Sequence, residues 1–295
     1  MSALTENDFS TLRRLRAESP ATIAAAMARR PRRALLPADG RLFIVAADHP
    51  ARGALGVRSD ELAMADRYGL LERLATALQN PAVDGVLGTA DILDDLAALG
   101  LLDNKIAVGS LNRGGLRGAS FEMDDRFTAF WPGDLAGASF DVAKLLLRIN
   151  LEDAGSVATL ETAGRAVTEA ARSQLPILIE PFLSRWVDGR IVNQLDADSV
   201  ITSIAISAGL GASSAFTWLK LPVVDEMERV MAATTLPTLL LGGDPDSNPD
   251  ETFASWERAL ALPGVRGLVV GRTLLYPSDD DVEGAVATAA ALVHR

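Results

Sequence analysis

A chain of 295 residues, 48% apolar and 23% charged, has the composition of a packed globular protein, and its lack of cysteine excludes disulfides, thiolate catalysis and Cys-ligated metal centres. A net charge of −11 leaves no electrostatic footprint for nucleic acid or an anionic membrane, and the two histidines, His49 and His294, are too few for a His-rich metal site. No apolar stretch approaches the roughly 18 residues of a membrane span and MSALTENDFS is not a signal peptide, so a soluble, cytoplasmic protein is expected.

Residues 1–40 carry a basic helical stretch, Leu12-Arg13-Arg14-Leu15-Arg16, and an Ala-rich segment; they are expected to form a helical extension packed under a catalytic domain spanning 41–295. Eight apolar runs of strand length follow, at Leu42–Ala47, Val83–Leu87, Ile106–Ser110, Val142–Ile149, Pro176–Ile179, Phe216–Leu221, Thr238–Leu241 and Gly267–Val270. Several are apolar at consecutive positions, as in parallel strands buried on both faces. Helical segments lie between them, such as the one with Leu71, Leu74 and Leu78 on one side. Capping residues at Ser59-Asp60-Glu61, Asp225-Glu226 and Asp250-Glu251 mark helix starts. The repeated strand–helix unit, read as free of hairpin signals, predicts a single (β/α)8 barrel, and no GxGxxG follows the first strand to favour a dinucleotide fold. The longest connection without clear structure, Asn112 to Ala138, is expected to be functional.

In such a barrel reactive groups project from the C-terminal ends of the strands. Those ends carry Asp48 and His49, Asn112 and Arg113, Lys144 and Arg148, Glu180, Lys220, Gly242-Gly243-Asp244 and Gly271-Arg272. Only three lysines stand against 25 arginines, so a lysine set among apolar residues needs a reason. Lys220, in Phe216-Thr217-Trp218-Leu219-Lys220-Leu221-Pro222, is such a residue. Desolvation there favours the free amine, the nucleophile that attacks a ketone to form a Schiff base, and Lys144 is a candidate for the second cation that strengthens the effect. A structural ion pair with Glu180 is the competing role for Lys220. Glu180, after an apolar strand and before Pro181, suits proton transfer between carbinolamine and water. Asp48 is either catalytic or a turn residue; His49 reads as a loop hydrogen-bonder. Gly242, Gly243, Gly271 and Arg272, on the seventh and eighth runs, read together as a phosphate cradle, because glycines let backbone N–H groups approach an anion and arginine supplies a fork of donors.

Asp48-His49-Pro50, Lys144 with Leu145-Leu146-Leu147, Glu180-Pro181, Lys220 and Gly271-Arg272 together resemble class I aldolases of the tagatose-bisphosphate and deoxyribose-phosphate aldolase superfamily, over about residues 41–295. The resemblance implies a Schiff base on Lys220, with Asp48, Lys144 and Glu180 grouped around it, and phosphate bound by Gly243, Gly271 and Arg272. The stretch Asn112–Phe130 departs from the tagatose type and looks like a branch associated with inositol catabolism. That implies a deoxy-keto-phosphogluconate cleaved to dihydroxyacetone phosphate and malonic semialdehyde, with Arg113, Arg117 and Arg126 as candidates for binding the extra carboxylate. Trp218, two residues before Lys220, is expected on the same face, where its bulk bears on pocket size.

The expected activity is therefore that of a cofactor-independent lyase acting on a phosphorylated small molecule, with self-association through outer helices an open possibility. Two alternatives stand beside it. One is a carboxylate-ligated Mg²⁺ lyase on the same barrel, using Glu180, Asp48 or the Asp124-Asp125 pair, which loss of activity in EDTA would identify. The other is a sugar-phosphate-binding barrel without catalysis, which fails to trap an adduct under borohydride.

Overall fold

The apolar runs pair as parallel strands because each is flanked by a helix that covers its outward side chains. The computed structural model describes residues 4–243 and 248–295. In chain order it contains α1 (Glu6–Glu18), α2 (Pro20–Arg29), β1 (Leu42–Ala46), α3 (Arg67–Gln79), β2 (Gly85–Gly88), α4 (Ala90–Ala98), β3 (Ile106–Ser110), α5 (Pro132–Gly137) and β4 (Val142–Ile149). Next come α6 (Gly155–Arg172), β5 (Ile177–Val187), β6 (Arg190–Asn193), α7 (Ala197–Ala208), β7 (Thr217–Leu221) and α8 (Met227–Met231). The last elements are β8 (Thr238–Leu241), α9 (Pro249–Leu260), β9 (Val265–Val270), α10 (Arg272–Leu275) and α11 (Val282–Val293). Eight parallel strands close in the order β1-β2-β3-β4-β5-β7-β8-β9, with β9 pairing back onto β1. The fold is a (β/α)8 barrel, as the alternation predicts.

Two apolar layers hold it. Leu42, Ile44 and Ala46 of β1 join Ile106, Val108, Val142, Leu178, Leu239 and Val269 inside the barrel. The alternate residues Phe43 and Val45 belong to the outer layer with Leu70, Leu74 and Leu78 of α3. This is the period-two pleat of a strand covered on both faces; each fully buried Leu or Ile stabilises the fold by about 1.5–3 kcal/mol. Trp218 packs into the inner layer and is not among the residues lining the mouth, so its bulk fills the barrel beneath the site.

The N-terminal helices pack on the barrel: α2 lies against α4, and Arg16 of α1 pairs with Asp95 at 2.6 Å. After α2, buried Arg30 donates to the Lys105 and Ser139 carbonyls at 2.8 and 2.9 Å and to Asp141 at 2.5 Å, and Arg33 pairs with Asp84 at 2.7 Å. These contacts fix the extension at the N-terminal ends of β2, β3 and β4, the floor of the barrel.

Three expectations are corrected. β5 does not stop at Ile179: it runs to Val187 and turns through Asp188-Gly189 into antiparallel β6, so the sequence does contain a hairpin signal. Asp188 and Gly189 both take positive φ, +49° and +74°, which short polar or glycine residues tolerate. The helix after β1 starts at Arg67, not near Ser59, because the Asp66 side chain accepts from the Tyr68 N–H and caps it. In the long connection after β3, only Pro132–Gly137 is helical. Among the described residues no helix is long and apolar enough to cross a membrane.

Candidate active site

The inward parity that places Leu178 and Trp218 inside the barrel carries on upward to Glu180 and Phe182 on β5 and to Lys220 on β7. Ile44 and Ala46 continue likewise to Asp48 just beyond β1. At the mouth these side chains meet. Lys220 Nζ lies 2.9 Å from Glu180 Oε1, and Lys144 Nζ lies 2.6 Å from Glu180 Oε2 and 3.4 Å from Asp48 Oδ2. Asp48 also pairs with Arg113 and accepts from Ser110 Oγ at 3.1 Å. Lys144 is fully enclosed, whereas Lys220, Glu180 and Asp48 line the cavity above it. The two lysines thus share one carboxylate, and only Lys220 reaches the cavity.

Burial opposes charge on Glu180, but the Lys144 and Lys220 ammonium groups overcome it and hold the carboxyl well below the usual range. Burial pushes Lys144 well below an ordinary lysine, aided by Arg113 and Lys220 and opposed by Glu180. Burial likewise lowers His49 far below its usual value, with Arg272 and Lys220 acting in the same direction, so its ring is neutral near pH 7. Arg113 is brought down to about 10 by burial.

On the β8 and β9 side, Gly242, Gly243, Gly271, Arg272 and Thr273 line the same cavity. Thr273 Oγ1 donates to the Gly242 carbonyl at 3.3 Å and Arg272 Nη1 donates to the Gly56 carbonyl at 3.1 Å, tying these loops to each other and to the chain after β1. Asp244, which follows them, lies outside the described residues.

The connection after β3 folds back over the mouth instead of looping free. Asn112 Nδ2 donates to the carbonyls of Asp125 and Leu146 at 2.9 and 2.6 Å, and Arg148 pairs with buried Asp125 at 2.6 Å. This brings Glu122 to the cavity beside Arg113 and Arg148. Arg126 is not brought there: its side chain is 82% exposed and pairs with Asp124 at 2.8 Å, on the outer side of the loop. Arg117 is likewise exposed and absent from the lining. Asp124 and Asp125 are spent on Arg126 and Arg148, and among the described residues no group of three His, Asp or Glu is placed to hold a metal ion.

Sequence reasoning missed several lining residues: Arg52, Glu122, Phe182, Ile191, Asn193 and Thr273. The Asp188-Gly189 dipeptide signals the hairpin that carries Ile191 and Asn193 to the rim. Nothing local signals Arg52, which a 3₁₀ turn over Pro50–Arg52 delivers. Five cations (Arg52, Arg113, Arg148, Lys220 and Arg272) and three carboxylates (Asp48, Glu122 and Glu180) line the cavity. In a chain of net charge −11, this local excess of cations suits an anionic ligand.

The model of the Cgl0159-like family matches residues 40–290. The crystal structure of Cgl0159 from Corynebacterium glutamicum is 63% identical, with a TM-score of 0.97 over 100% of this chain and 99% of that one. An archaeal fructose 1,6-bisphosphate aldolase superposes with a TM-score of 0.67 at 18% identity, covering 92% of this chain and 98% of the other. The fructose-bisphosphate aldolase of Slackia heliotrinireducens DSM 20476 gives 0.64 at 15% identity, covering 92% and 84%. A comparison with curated proteins finds no match. At these identities the likeness to the aldolases is one of fold.

Proposed function

The chain belongs to the Cgl0159-like family, and we propose that it is a class I aldolase cleaving a phosphorylated keto-sugar or keto-sugar acid through a Schiff base on Lys220. The observation that carries this reading is Lys220 itself, inside the barrel mouth and 2.9 Å from a carboxylate that a second, fully enclosed lysine also holds. A lysine needed only for an ion pair would gain nothing from a place on the cavity wall. The barrel's likeness to fructose-bisphosphate aldolases, one of them described as Schiff-base forming, supports the same chemistry.

In the proposed mechanism the substrate's phosphate rests against Gly242, Gly243, Gly271 and Arg272, which directs the ketone toward Lys220. Lys220 passes a proton to Glu180, and its free amine adds to the carbonyl carbon. Glu180 returns the proton to the carbinolamine hydroxyl, which leaves as water to give the iminium. Asp48 or Glu180 then takes the proton of the hydroxyl on the carbon beyond the scissile bond. The aldehyde departs as the C–C bond breaks and its electron pair flows into the iminium, giving an enamine. Protonation of the enamine carbon and addition of water release the ketone and restore the amine. Lys144 holds Glu180 and Asp48 in register throughout, and its lowered proton affinity suits it to relay protons between them. For the substrate we propose a deoxy-keto-phosphogluconate, yielding dihydroxyacetone phosphate and malonic semialdehyde.

Borohydride reduction in the presence of dihydroxyacetone phosphate is the test. A secondary-amine adduct is expected at Lys220, absent from Lys220→Met, whose turnover should fall on the order of 10⁴-fold or more. Wild-type protein that accumulates no adduct, or one on another residue, would overturn the assignment.

A further inference from the structure

Arg52 lines the cavity with its side chain 23% exposed, yet its Nη1 is buried and makes no hydrogen bond. Its ion-pair partner, Glu122 Oε1, stands 3.6 Å away, beyond hydrogen-bond reach. Glu122 is held where it is: Oε2 accepts from the Gly118 N–H at 2.7 Å, and Oε1 is shared at 3.6 Å with Arg148 Nη1. Arg148 is committed through Nε and Nη2 to Asp125 and to the Glu122 carbonyl. Beside them Arg113, 7% exposed and paired with Asp48, has a second buried nitrogen, Nε, without a partner. Two arginines on the cavity wall thus each keep a buried N–H group without a hydrogen-bond acceptor, a costly arrangement unless a ligand that draws these side chains toward it completes it.

Place in the barrel says which part of a ligand. β3 and β4, with the connection between them, carry Arg113, Glu122 and Arg148, and Arg52 reaches toward this group. Round the closed sheet they lie opposite β8 and β9, which lead into Gly242, Gly243, Gly271 and Arg272. Lys220 and Glu180, on β7 and β5, stand along the side between.

We propose that the Arg52 guanidinium, together with that of Arg113, donates to an anionic group on the half of the substrate that departs as the aldehyde, so the preferred aldehyde carries a carboxylate or a phosphate. This rests on the Schiff-base reading, with the ketone half held by its phosphate on the opposite wall. Arg52 is then a specificity-determining residue, the reader of the second charge in place of Arg117 and Arg126.

The test compares condensation of dihydroxyacetone phosphate with malonic semialdehyde, glyceraldehyde 3-phosphate and neutral glyceraldehyde in wild type, Arg52→Gln and Arg52→Lys. The ratio of kcat/KM for an anionic aldehyde over the neutral one should fall at least about tenfold in Arg52→Gln, mainly through KM, with partial recovery in Arg52→Lys. Whichever anionic aldehyde shows the fall identifies the group as carboxylate or phosphate. An unchanged ratio would overturn the proposal, because a merely structural arginine affects all three aldehydes alike. Binding of malonate and 3-phosphoglycerate, read by calorimetry, needs no Schiff base. Wild type should bind one of them at least about tenfold more tightly than Arg52→Gln; equal binding of both sinks the subsite even where borohydride trapping succeeds, and failure of trapping alone sinks only the covalent reading.

Discussion

Removing the carboxylate of Glu180 and removing the ammonium of Lys144 should affect stability differently, because their partners are not equally replaceable. Glu180→Gln leaves two ammonium groups, on fully enclosed Lys144 and on cavity-lining Lys220, facing a neutral amide. Breaking a buried pair in this way costs about 3–5 kcal/mol. Lys144→Met leaves Asp48 with Arg113 and Ser110, and Glu180 with Lys220, so each carboxylate keeps a partner. Its cost should stay within about 1 kcal/mol, since an apolar chain of similar length relieves the desolvation of a buried charge. Urea denaturation at pH 7 separates the two, and equal losses would contradict this account of the cluster. Acid adds a sign. Folding holds Glu180 well below its ordinary value of 4.5, so its stabilisation is complete above about pH 4.5 and is lost as pH falls through the lowered value. The stability gap between wild type and Glu180→Gln should therefore narrow on acidification; a gap that stays constant would mean that Glu180 gains nothing from its two lysines.

The strands show why part of the site was readable in the sequence and part was not. Alternation along a strand fixes which side chains face inward, so Glu180 follows from Leu178 and Lys220 from Trp218 without knowledge of any loop. Asp48 continues the same parity from Ala46, and Lys144 from Val142. Residues delivered by connections carry no such rule. Arg126 lies in the right loop but on its outer side, while Arg52 and Glu122 reach the cavity by turns that no periodicity encodes. The β5–β6 hairpin lies between these cases. Its rim residues Ile191 and Asn193 depend on a register set by the two-residue turn Asp188-Gly189, with Val187 opposite Arg190 and Ser184 opposite Asn193. Ser184 Oγ donates to Asn193 Oδ1 at 2.8 Å and holds that register next to the cavity. Gly189 has φ +74°, and a Cβ there would meet nothing within 4 Å, so an alanine adds conformational strain without a clash. Gly189→Ala should cost about 1–2 kcal/mol locally and loosen the wall formed by Ile191 and Asn193. A rise in KM for the ketose substrate, with little change in the global denaturation midpoint, is the expected outcome. Unaltered KM would show that the hairpin does not shape the mouth.

At the scale of the whole molecule, the pairing of β9 with β1 turns an open sheet into a barrel. Two parts of the candidate site meet at that seam, since Asp48 and His49 follow β1 while Gly271 and Arg272 follow β9. Leu42 pairs with Gly267 there, and Gly267 sits at φ +135° with the position of a Cβ only 1.9 Å from the Leu42 carbonyl oxygen. Neither the backbone angle nor the spacing admits a side chain, so Gly267→Ala must push β9 away from β1 or twist the strand. The expected loss is on the order of 3 kcal/mol or more. Gly100→Ala is the matched control, because Gly100 has a similar need for positive φ, +72°, at the end of α4, but open space where the methyl group would go; its cost should remain about 1–2 kcal/mol. If closure of the seam positions the mouth, Gly267→Ala protein that still folds should lose borohydride trapping of dihydroxyacetone phosphate out of proportion to its lost stability, while Gly100→Ala retains it. Equal trapping by the two variants would mean that the walls of the cavity are set strand by strand and owe nothing to the closing of the ring.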